Sequence, residues 1–141
     1  MRIRFYNNGI NYLLRNKNII RKVIESIASD NGKEIKRVVY IFCNKRQIVQ
    51  LNRSFLKHDY PTDIITFSDS TDEIIDAEIY ICLPVVFDNA TRFGAPSYQE
   101  VIRVIFHGVL HCVGFDDHSS EEEAEMHRQE NRYIALFGQL L

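Results

Sequence analysis

The sequence predicts an α+β fold in which a small mixed four-stranded sheet is packed with about five helices. Four segments have the alternation or the β-branched and aromatic composition of strands, and five others space their apolar residues as helices do. The two kinds of segment follow the order β-α-β-α-β-β-α-α-α. No repeat, low-complexity tract or Pro/Gly-rich linker divides the chain, so we expect residues 1–141 to form a single domain.

The first elements are a strand, a helix and a second strand. Apolar and polar residues alternate over Arg2–Asn7, which predicts a half-buried strand. Apolar residues at roughly helical spacing predict a helix from Tyr12 to Ala28, and Asn31-Gly32 provides its end. The β-branched and aromatic run Arg37–Cys43 predicts a buried strand.

The middle of the chain predicts one helix and two more strands. Asn44 is a suitable cap for a helix from Lys45 to about Phe55. A short strand is expected over Asp63–Phe67 and another over Glu78–Leu83, because both are rich in isoleucine and aromatic residues. Between them, Ser68–Asp76 is polar and is expected to be a mobile loop.

Three helices are expected in the last third of the chain. Pro84 opens the first, which runs to about Phe93. Ser97 is predicted to cap the second, with Glu100 completing a capping box. The last begins near Ser119, and three glutamates in its first turn suit the positive end of the helix dipole.

Composition places the chain among cytoplasmic globular proteins. It is 45% apolar and 26% charged, and no apolar run approaches the ~18 residues of a membrane span. The N-terminal segment lacks the apolar core of a signal peptide. Three cysteines without C-x-x-C spacing are expected to be buried free thiols in a reducing compartment: Cys43, Cys82 and Cys112.

Charge is divided unevenly between the two halves of the chain. The net charge is −2, but residues 1–60 carry +9 and residues 61–141 carry −11. A basic half can provide a phosphate-binding face for a polyanion such as RNA. Alternatively, the two sets of charges are solvated helix faces that hold the halves together.

The most informative segment is His107–His118, which begins with two histidines four residues apart. On a helix, residues at this spacing share one face, so His107 and His111 can bind the same Zn²⁺. Gly114 can adopt the left-handed conformation that ends a helix, after which the chain can return a third ligand. Three protein ligands and one open position are typical of catalytic zinc sites, so the predicted site on this helix resembles that of a zinc hydrolase.

Two neighbouring residues compete for the third ligand position. The pattern H-x-x-G-x-x-[HD] places Asp117 there, and we favour it by register. His118 follows one residue later and would give the all-nitrogen set that zinc prefers. Adjacent residues in a turn point in different directions, so we expect one of the two to bind the ion.

The residue after the first histidine argues against a zinc peptidase. Those enzymes carry H-E-x-x-H, in which the glutamate is the general base. Here that position is Gly108. The metal ligands are therefore expected without the base of a peptidase.

A second conspicuous block is Leu51–Phe67, which contains Pro61-Thr62-Asp63. Proline fixes φ, and threonine and aspartate oxygens can accept from free backbone N–H groups, so this tripeptide is typical of a turn into a strand. Lys57 and His58 precede it and are candidate contacts to RNA phosphate, with a solvated loop as the alternative.

Three blocks in this order resemble the YbeY family of bacterial metal-dependent endoribonucleases. They are the L-N…P-T-D-I-I-T-F block of Leu51–Phe67, the strand Ala77–Ile81 and the H-G-x-L-H-x-x-G motif of His107–Gly114. The resemblance covers about residues 38–125. It implies a zinc ion on the H-G-x-L-H helix, held by His107, His111 and a residue after Gly114.

The resemblance also implies a function. It indicates a zinc-dependent, single-strand-specific endoribonuclease in rRNA processing, acting on the 3′ end of small-subunit 16S rRNA and in ribosome quality control. The expected partners are one Zn²⁺ per chain, RNA and the ribosomal small subunit, with no nucleotide cofactor and no membrane. We expect a cytoplasmic monomer in which His107 and His111 are the catalytic residues.

The sequence departs from the family pattern at two positions. The family ends its motif in G-Y-D-H, whose histidine position is Asp117 here. The family generally has an arginine six residues before the threonine of P-T-D, where this chain has Leu56. The second departure suggests an alternative function, a ribosome-associated assembly factor whose zinc is mainly structural and which has little nuclease activity.

Overall fold

The computed structural model describes residues 1–141 and contains one four-stranded sheet and five α-helices. The strands are β1 (Ile3–Asn7), β2 (Glu34–Cys43), β3 (Ile64–Ser68) and β4 (Ile74–Cys82). The helices are α1 (Lys17–Asp30), α2 (Lys45–Leu51), α3 (Leu83–Phe93), α4 (Ser97–Cys112) and α5 (Ser120–Leu140), and a π-helical segment, Asn52–Leu56, continues α2. None of these helices combines the length and the apolar character needed to span a bilayer. The predicted α+β class, with a mixed sheet and about five helices, is confirmed.

The sheet has the order β1-β2-β4-β3. The strands β1, β2 and β4 are mutually parallel, whereas β3 runs antiparallel to β4 and forms one edge. The predicted loop Ser68–Asp76 is shorter than expected, since Ser68 ends β3 and Ile74–Asp76 pair with β2. Backbone bonds of 2.8 Å from Asp69 N to Asp76 O and from Thr71 N to Ile74 O close this β3–β4 hairpin.

The main core lies on one face of the sheet, beneath α1, α4 and α5. Inside it, the Tyr40 hydroxyl donates to the Ile105 carbonyl at 2.8 Å and so fastens β2 to α4. Side chains on alternate strand positions point to the opposite face. There a smaller cluster packs against α2: Cys43, Ile48, Ile65 and Cys82. All three cysteines are buried and free, as predicted.

One of the two predicted caps is present, and a further cap that was not predicted occurs at Ser119. The Asn44 side chain accepts from Gln47 N and forms a capping box with that residue, and Ser119 does the same with Glu122. The prediction that Ser97 caps α4 was wrong. Pro96 is the extended N-cap residue, and its carbonyl accepts from Glu100 N at 3.1 Å, so Ser97 is already helical.

Three element boundaries also differ from prediction. Helix α1 begins at Lys17 rather than Tyr12, because Asn16 adopts a left-handed conformation (φ 63°) that interrupts the helix. Strand β2 begins at Glu34, three residues before Arg37, because its first residues pair with the start of β4. The helix expected to reach about Phe55 is α-helical only to Leu51 and π-helical beyond it.

Part of the charge asymmetry is used within the molecule. Arg37 of the basic half lies 3.2 Å from Asp76 and 3.3 Å from Glu78 of the acidic half. Another such pair joins Lys45 to Asp88 at 3.3 Å. These contacts agree with the alternative in which opposite charges hold the two halves together.

Candidate metal centre

His107 and His111 lie one turn apart near the C-terminal end of α4. Both side chains are half-buried, and their Nε2 atoms are 3.0 Å apart. Helix α4 packs against β3 and β4, and the His111 ring lines a pocket together with residues of β3. The helical spacing therefore brings the two ring nitrogens together, as the sequence predicted.

Asp117 completes the group because the chain reverses after α4. Gly114 has φ 109°, a value that L side chains rarely adopt, and it directs the following residues back over the helix end. Asp117 Oδ2 then lies 3.5 Å from His107 Nε2 and 3.6 Å from His111 Nε2. The three residues form a group that could hold a metal ion.

The other candidates near the turn occupy different places. His118 is exposed and lines the same pocket, but it is not part of the three-donor group. Asp116 faces the other side of the His111 ring, with Oδ1 3.7 Å from Nδ1. Thus the geometry of the turn favours Asp117 over His118 as the third donor.

The donor set fits a zinc ion. Tetrahedral bonds of about 2.0–2.1 Å require donor atoms roughly 3.3 Å apart, and the three distances here are between 3.0 and 3.6 Å. Two imidazole nitrogens and one carboxylate oxygen are also ligands that zinc accepts.

The sequence did not predict a role for Glu130, which contacts the metal group of His107, His111 and Asp117. It does so at His107 Nδ1, the ring nitrogen that does not face the other two donors. Glu130, in α5, is only 6% exposed. Its Oε2 lies 2.6 Å from His107 Nδ1, and its Oε1 accepts from Arg103 Nη1 at 2.9 Å. One signal could have found it, because it lies on the buried stripe of α5 between Met126 and Tyr133, where an apolar residue is expected.

The pKa values of this pair reflect their contact. Burial opposes the charged form of His107, but the hydrogen bond and charge of Glu130, with the charges of Asp117 and Asp63, outweigh it and raise the pKa. Burial likewise opposes ionisation of Glu130, yet bonds from His107 and Arg103 lower its pKa. The Glu130 carboxylate is therefore ionised, and His107 and Arg103 balance its negative charge.

Two of the three donor residues, His111 and Asp117, line a pocket of about 450 Å³ beside β3. Its walls are β3, Leu56 and the turn Asp116–His118, and no lysine or arginine lines it. Lys57 and His58 lie on the exposed loop next to Leu56, outside this lining. The turn Pro61-Thr62-Asp63 leads directly into β3, as predicted.

Gly108 faces the sheet, where there is no space for a side chain. A Cβ at this position would meet Ile79 Cδ1 at 3.0 Å and Ile64 Cδ1 at 3.1 Å. A glutamate at this position would therefore point into the sheet rather than toward the metal group. The close approach of α4 to β3 and β4 disfavours the peptidase motif here.

Known proteins share both the sequence and the fold. A family model described as endoribonuclease YbeY matches residues 5–138. A protein of that name from Chlorobium phaeovibrioides is 38% identical over 119 residues, which cover 84% of this chain and 80% of the relative. One from Porphyromonas gingivalis is 33% identical over 140 residues, covering 99% and 93%.

A solved structure agrees with these matches. The solution structure of TM1509 from Thermotoga maritima superposes with a TM-score of 0.68 at 26% identity, covering 96% of this chain and 88% of that one. The family match, the relatives and the shared fold all extend over most of the chain. The chain therefore belongs to the endoribonuclease YbeY family.

Proposed function

We propose that this protein is a zinc-dependent endoribonuclease that cleaves single-stranded RNA, with residues 1–141 acting as one hydrolase domain. The observation that carries the proposal is the group of His107, His111 and Asp117, whose donors converge beside an open pocket in a chain of this family. The open pocket leaves room for a phosphate beside the donors.

His107, His111 and Asp117 would hold one zinc ion per chain, with His118 as the competing third ligand. A zinc ion bound there supplies a Lewis acid that polarises a phosphoryl oxygen and lowers the pKa of the attacking water toward ~7. Glu130 holds the His107 ring in orientation through Nδ1. Leu56, Ile64 and Ile65 supply the apolar part of the pocket lining on the side of β3.

For the cellular role, we propose processing of the 3′ end of small-subunit 16S rRNA and ribosome quality control, in the cytoplasm and as a monomer. RNA and the ribosomal small subunit are then the partners. Lys57 and His58, which are exposed and follow Leu56 of the pocket lining, are the proposed contacts to the RNA.

Metal analysis of protein purified without a His-tag tests the site. Wild type and His118→Ala should contain one zinc per chain, whereas His107→Ala, His111→Ala and Asp117→Ala should lose it. The reverse result for Asp117 and His118 would make His118 the third ligand. Cleavage of a single-stranded oligoribonucleotide, but not of its duplex, should follow zinc content, and full cleavage by a zinc-free His107→Ala/His111→Ala protein would overturn the mechanism.

One observation favours the alternative of an assembly factor with a mainly structural zinc. No lysine or arginine lines the pocket, so a scissile phosphate would meet no permanent side-chain cation there. This alternative predicts that chelation lowers the melting temperature strongly, that binding to small subunits persists, and that the purified protein cleaves no RNA.

A further inference from the structure

The backbone between α2 and β3 is unusual in two respects. Asn52–Leu56 is π-helical, a conformation that is rare and frequent at functional sites. Lys57, which ends it, adopts a left-handed conformation with φ 57° although it is not glycine. Such conformations cost free energy and persist where the surrounding structure imposes them.

Side-chain bonds fix the loop that follows. Asn52 is only 2% exposed and donates from Nδ2 to the Tyr60 carbonyl at 2.9 Å. Arg53 donates from Nε to Asp59 Oδ1 at 2.9 Å. One bond is partly buried and the other is an exposed ion pair, and together they tie the π-helical turn to Asp59 and Tyr60.

This fixed segment exposes apolar side chains to water. Phe55 is 65% exposed, Tyr60 54% and Leu56 47%, although large apolar residues are favoured inside. The Phe55 ring packs edge-on against Phe67 of β3 with centroids 5.3 Å apart, and the His58 and Tyr60 rings are 5.2 Å apart. Phe55, His58 and Tyr60 lie on one short exposed segment, and exposed apolar groups of this kind are typical of interaction surfaces.

We propose that Phe55, His58 and Tyr60 form a stacking surface for unpaired RNA bases next to the scissile phosphate. The inference rests on the proposed function and names how its substrate is recognised. Leu56 belongs both to this segment and to the lining of the pocket, so the segment borders the site that a phosphate would enter. Lys57 has no acidic partner, whereas Arg53 is paired with Asp59, so the surface offers one free cation to the RNA backbone.

Stacking also accounts for a preference for single strands. Proteins bind unpaired RNA by stacking splayed-out bases on aromatic side chains, which the bases of a duplex cannot do. A protein partner or a second copy of this chain could also cover exposed rings. The position beside the pocket and the free charge of Lys57 favour RNA.

Binding measurements can test the surface without relying on cleavage. The probe is a short fluorescein-labelled single-stranded oligoribonucleotide, compared with one of equal length that carries abasic sites, with fluorescence anisotropy as the readout. Phe55→Ala and Tyr60→Ala should each weaken binding of the intact oligonucleotide roughly 5- to 100-fold, the range of stacking on one base. Both should keep one zinc per chain, and Tyr60→Phe should bind as wild type does.

Phe93→Ala is the matched control, since Phe93 is an equally exposed phenylalanine at the end of α3, away from the pocket lining. The proposal is wrong if the alanine variants at 55 and 60 bind like the control, or if wild type binds the abasic oligonucleotide equally well. It is also wrong if these variants change only the sedimentation of the protein, which would indicate contact between copies.

The stacking surface and the proposed nuclease can fail separately. If the variants cleave RNA normally and bind it as wild type does, only the stacking surface is rejected. If wild type binds RNA through its bases but does not cleave it, only the proposed nuclease is rejected.

Discussion

At the scale of single residues, the His107 ring has two nitrogen atoms with separate partners. Nδ1 lies 2.6 Å from Glu130 Oε2, and Nε2 is the atom nearest His111 Nε2 and Asp117 Oδ2. When Glu130 accepts the Nδ1 proton, the lone pair of Nε2 is available to an ion. Glu130 is therefore a positioning residue of the metal group, and Arg103 compensates its charge.

Glu130→Gln should weaken zinc binding about 10- to 100-fold, because the neutral amide orients the ring poorly and leaves Arg103 without a carboxylate. Competition with a chromophoric chelator measures the affinity. Glu125→Gln changes a partly exposed glutamate of the same helix that does not contact His107, and it should leave the zinc affinity unaltered. Equal zinc affinities in the two variants would show that Glu130 has no positioning role.

At the same scale, the sequence predicted only part of the site. The spacing of His107 and His111 follows from helical periodicity, so it could be read directly. The choice between Asp117 and His118 depends on the direction of the chain after Gly114, which a pattern of letters does not specify. Glu130 lies on another helix, and only its place in an otherwise apolar stripe distinguishes it from the other glutamates of α5.

At the scale of elements, the same capping signature had different outcomes at two helices. Ser97-x-x-Glu100 and Ser119-x-x-Glu122 look alike in sequence, but only Ser119 has the extended backbone of an N-cap. Pro96 occupies that position before α4. The π-helical turn after α2 was also not predicted. A segment of five residues is too short for its apolar side chains to show a distinct spacing.

Replacement of these serines tests the difference between the two helices. Ser119→Ala should lower the free energy of unfolding by about 1 kcal/mol, because the bond to Glu122 N is lost. Ser97→Ala should change it by less than about 0.5 kcal/mol, because Ser97 forms no cap hydrogen bond. Urea titration followed by circular dichroism distinguishes them, and equal losses would contradict the assignment of Pro96 as the cap.

Two helical glycines in different surroundings give a second prediction for the elements: Gly108 packs against the sheet, whereas Gly138 has open space around it. Gly138→Ala in α5 should stabilise the protein by about 0.5–1 kcal/mol, since a Cβ there meets nothing within 4 Å and alanine favours helices. Gly108→Ala should instead destabilise it by about 1 kcal/mol, because overpacking against Ile79 and Ile64 exceeds the gain in helix propensity. The same urea titrations measure both, and stabilisation by both variants would show that α4 can move away from the sheet.

At the scale of the whole molecule, the fold class followed from the order and composition of the elements. The sequence did not indicate the order of strands, because pairing of β2 with β4 joins distant segments. Nor could the sequence decide whether the basic half binds a polyanion or pairs with the acidic half. The structure shows Arg37 and Lys45 paired with acidic residues of the other half, so fewer cations remain for a polyanion than the count implies.

Burial of titratable groups across the core predicts a loss of stability at alkaline pH. Burial raises the pKa of the Cys43 thiol from 9.0 to about 12, and burial with the Asp30 bond raises that of Tyr133 from 10.0 to about 12. Above the ordinary values, the unfolded chain releases these protons while the folded protein retains them. The contribution of these two groups to stability is therefore fully present below about pH 9 and is lost as the pH rises toward 12.

Guanidinium unfolding at a series of pH values measures this fall. Cys43→Ala and Tyr133→Phe should each flatten the dependence of the unfolding free energy on pH above 9, whatever their effect at neutral pH. Curves that stay parallel to that of wild type would show that these groups do not contribute.

The bond between Glu130 and His107 also connects metal affinity to the local opening of the last helix. When α5 separates from α4, His107 loses its partner, and an ion held by His107 would be bound less tightly. By reciprocity, bound zinc must then resist that separation by the same free energy. Native-state hydrogen exchange of the α5 amides would thus report on occupancy of a site to which α5 contributes no ligand.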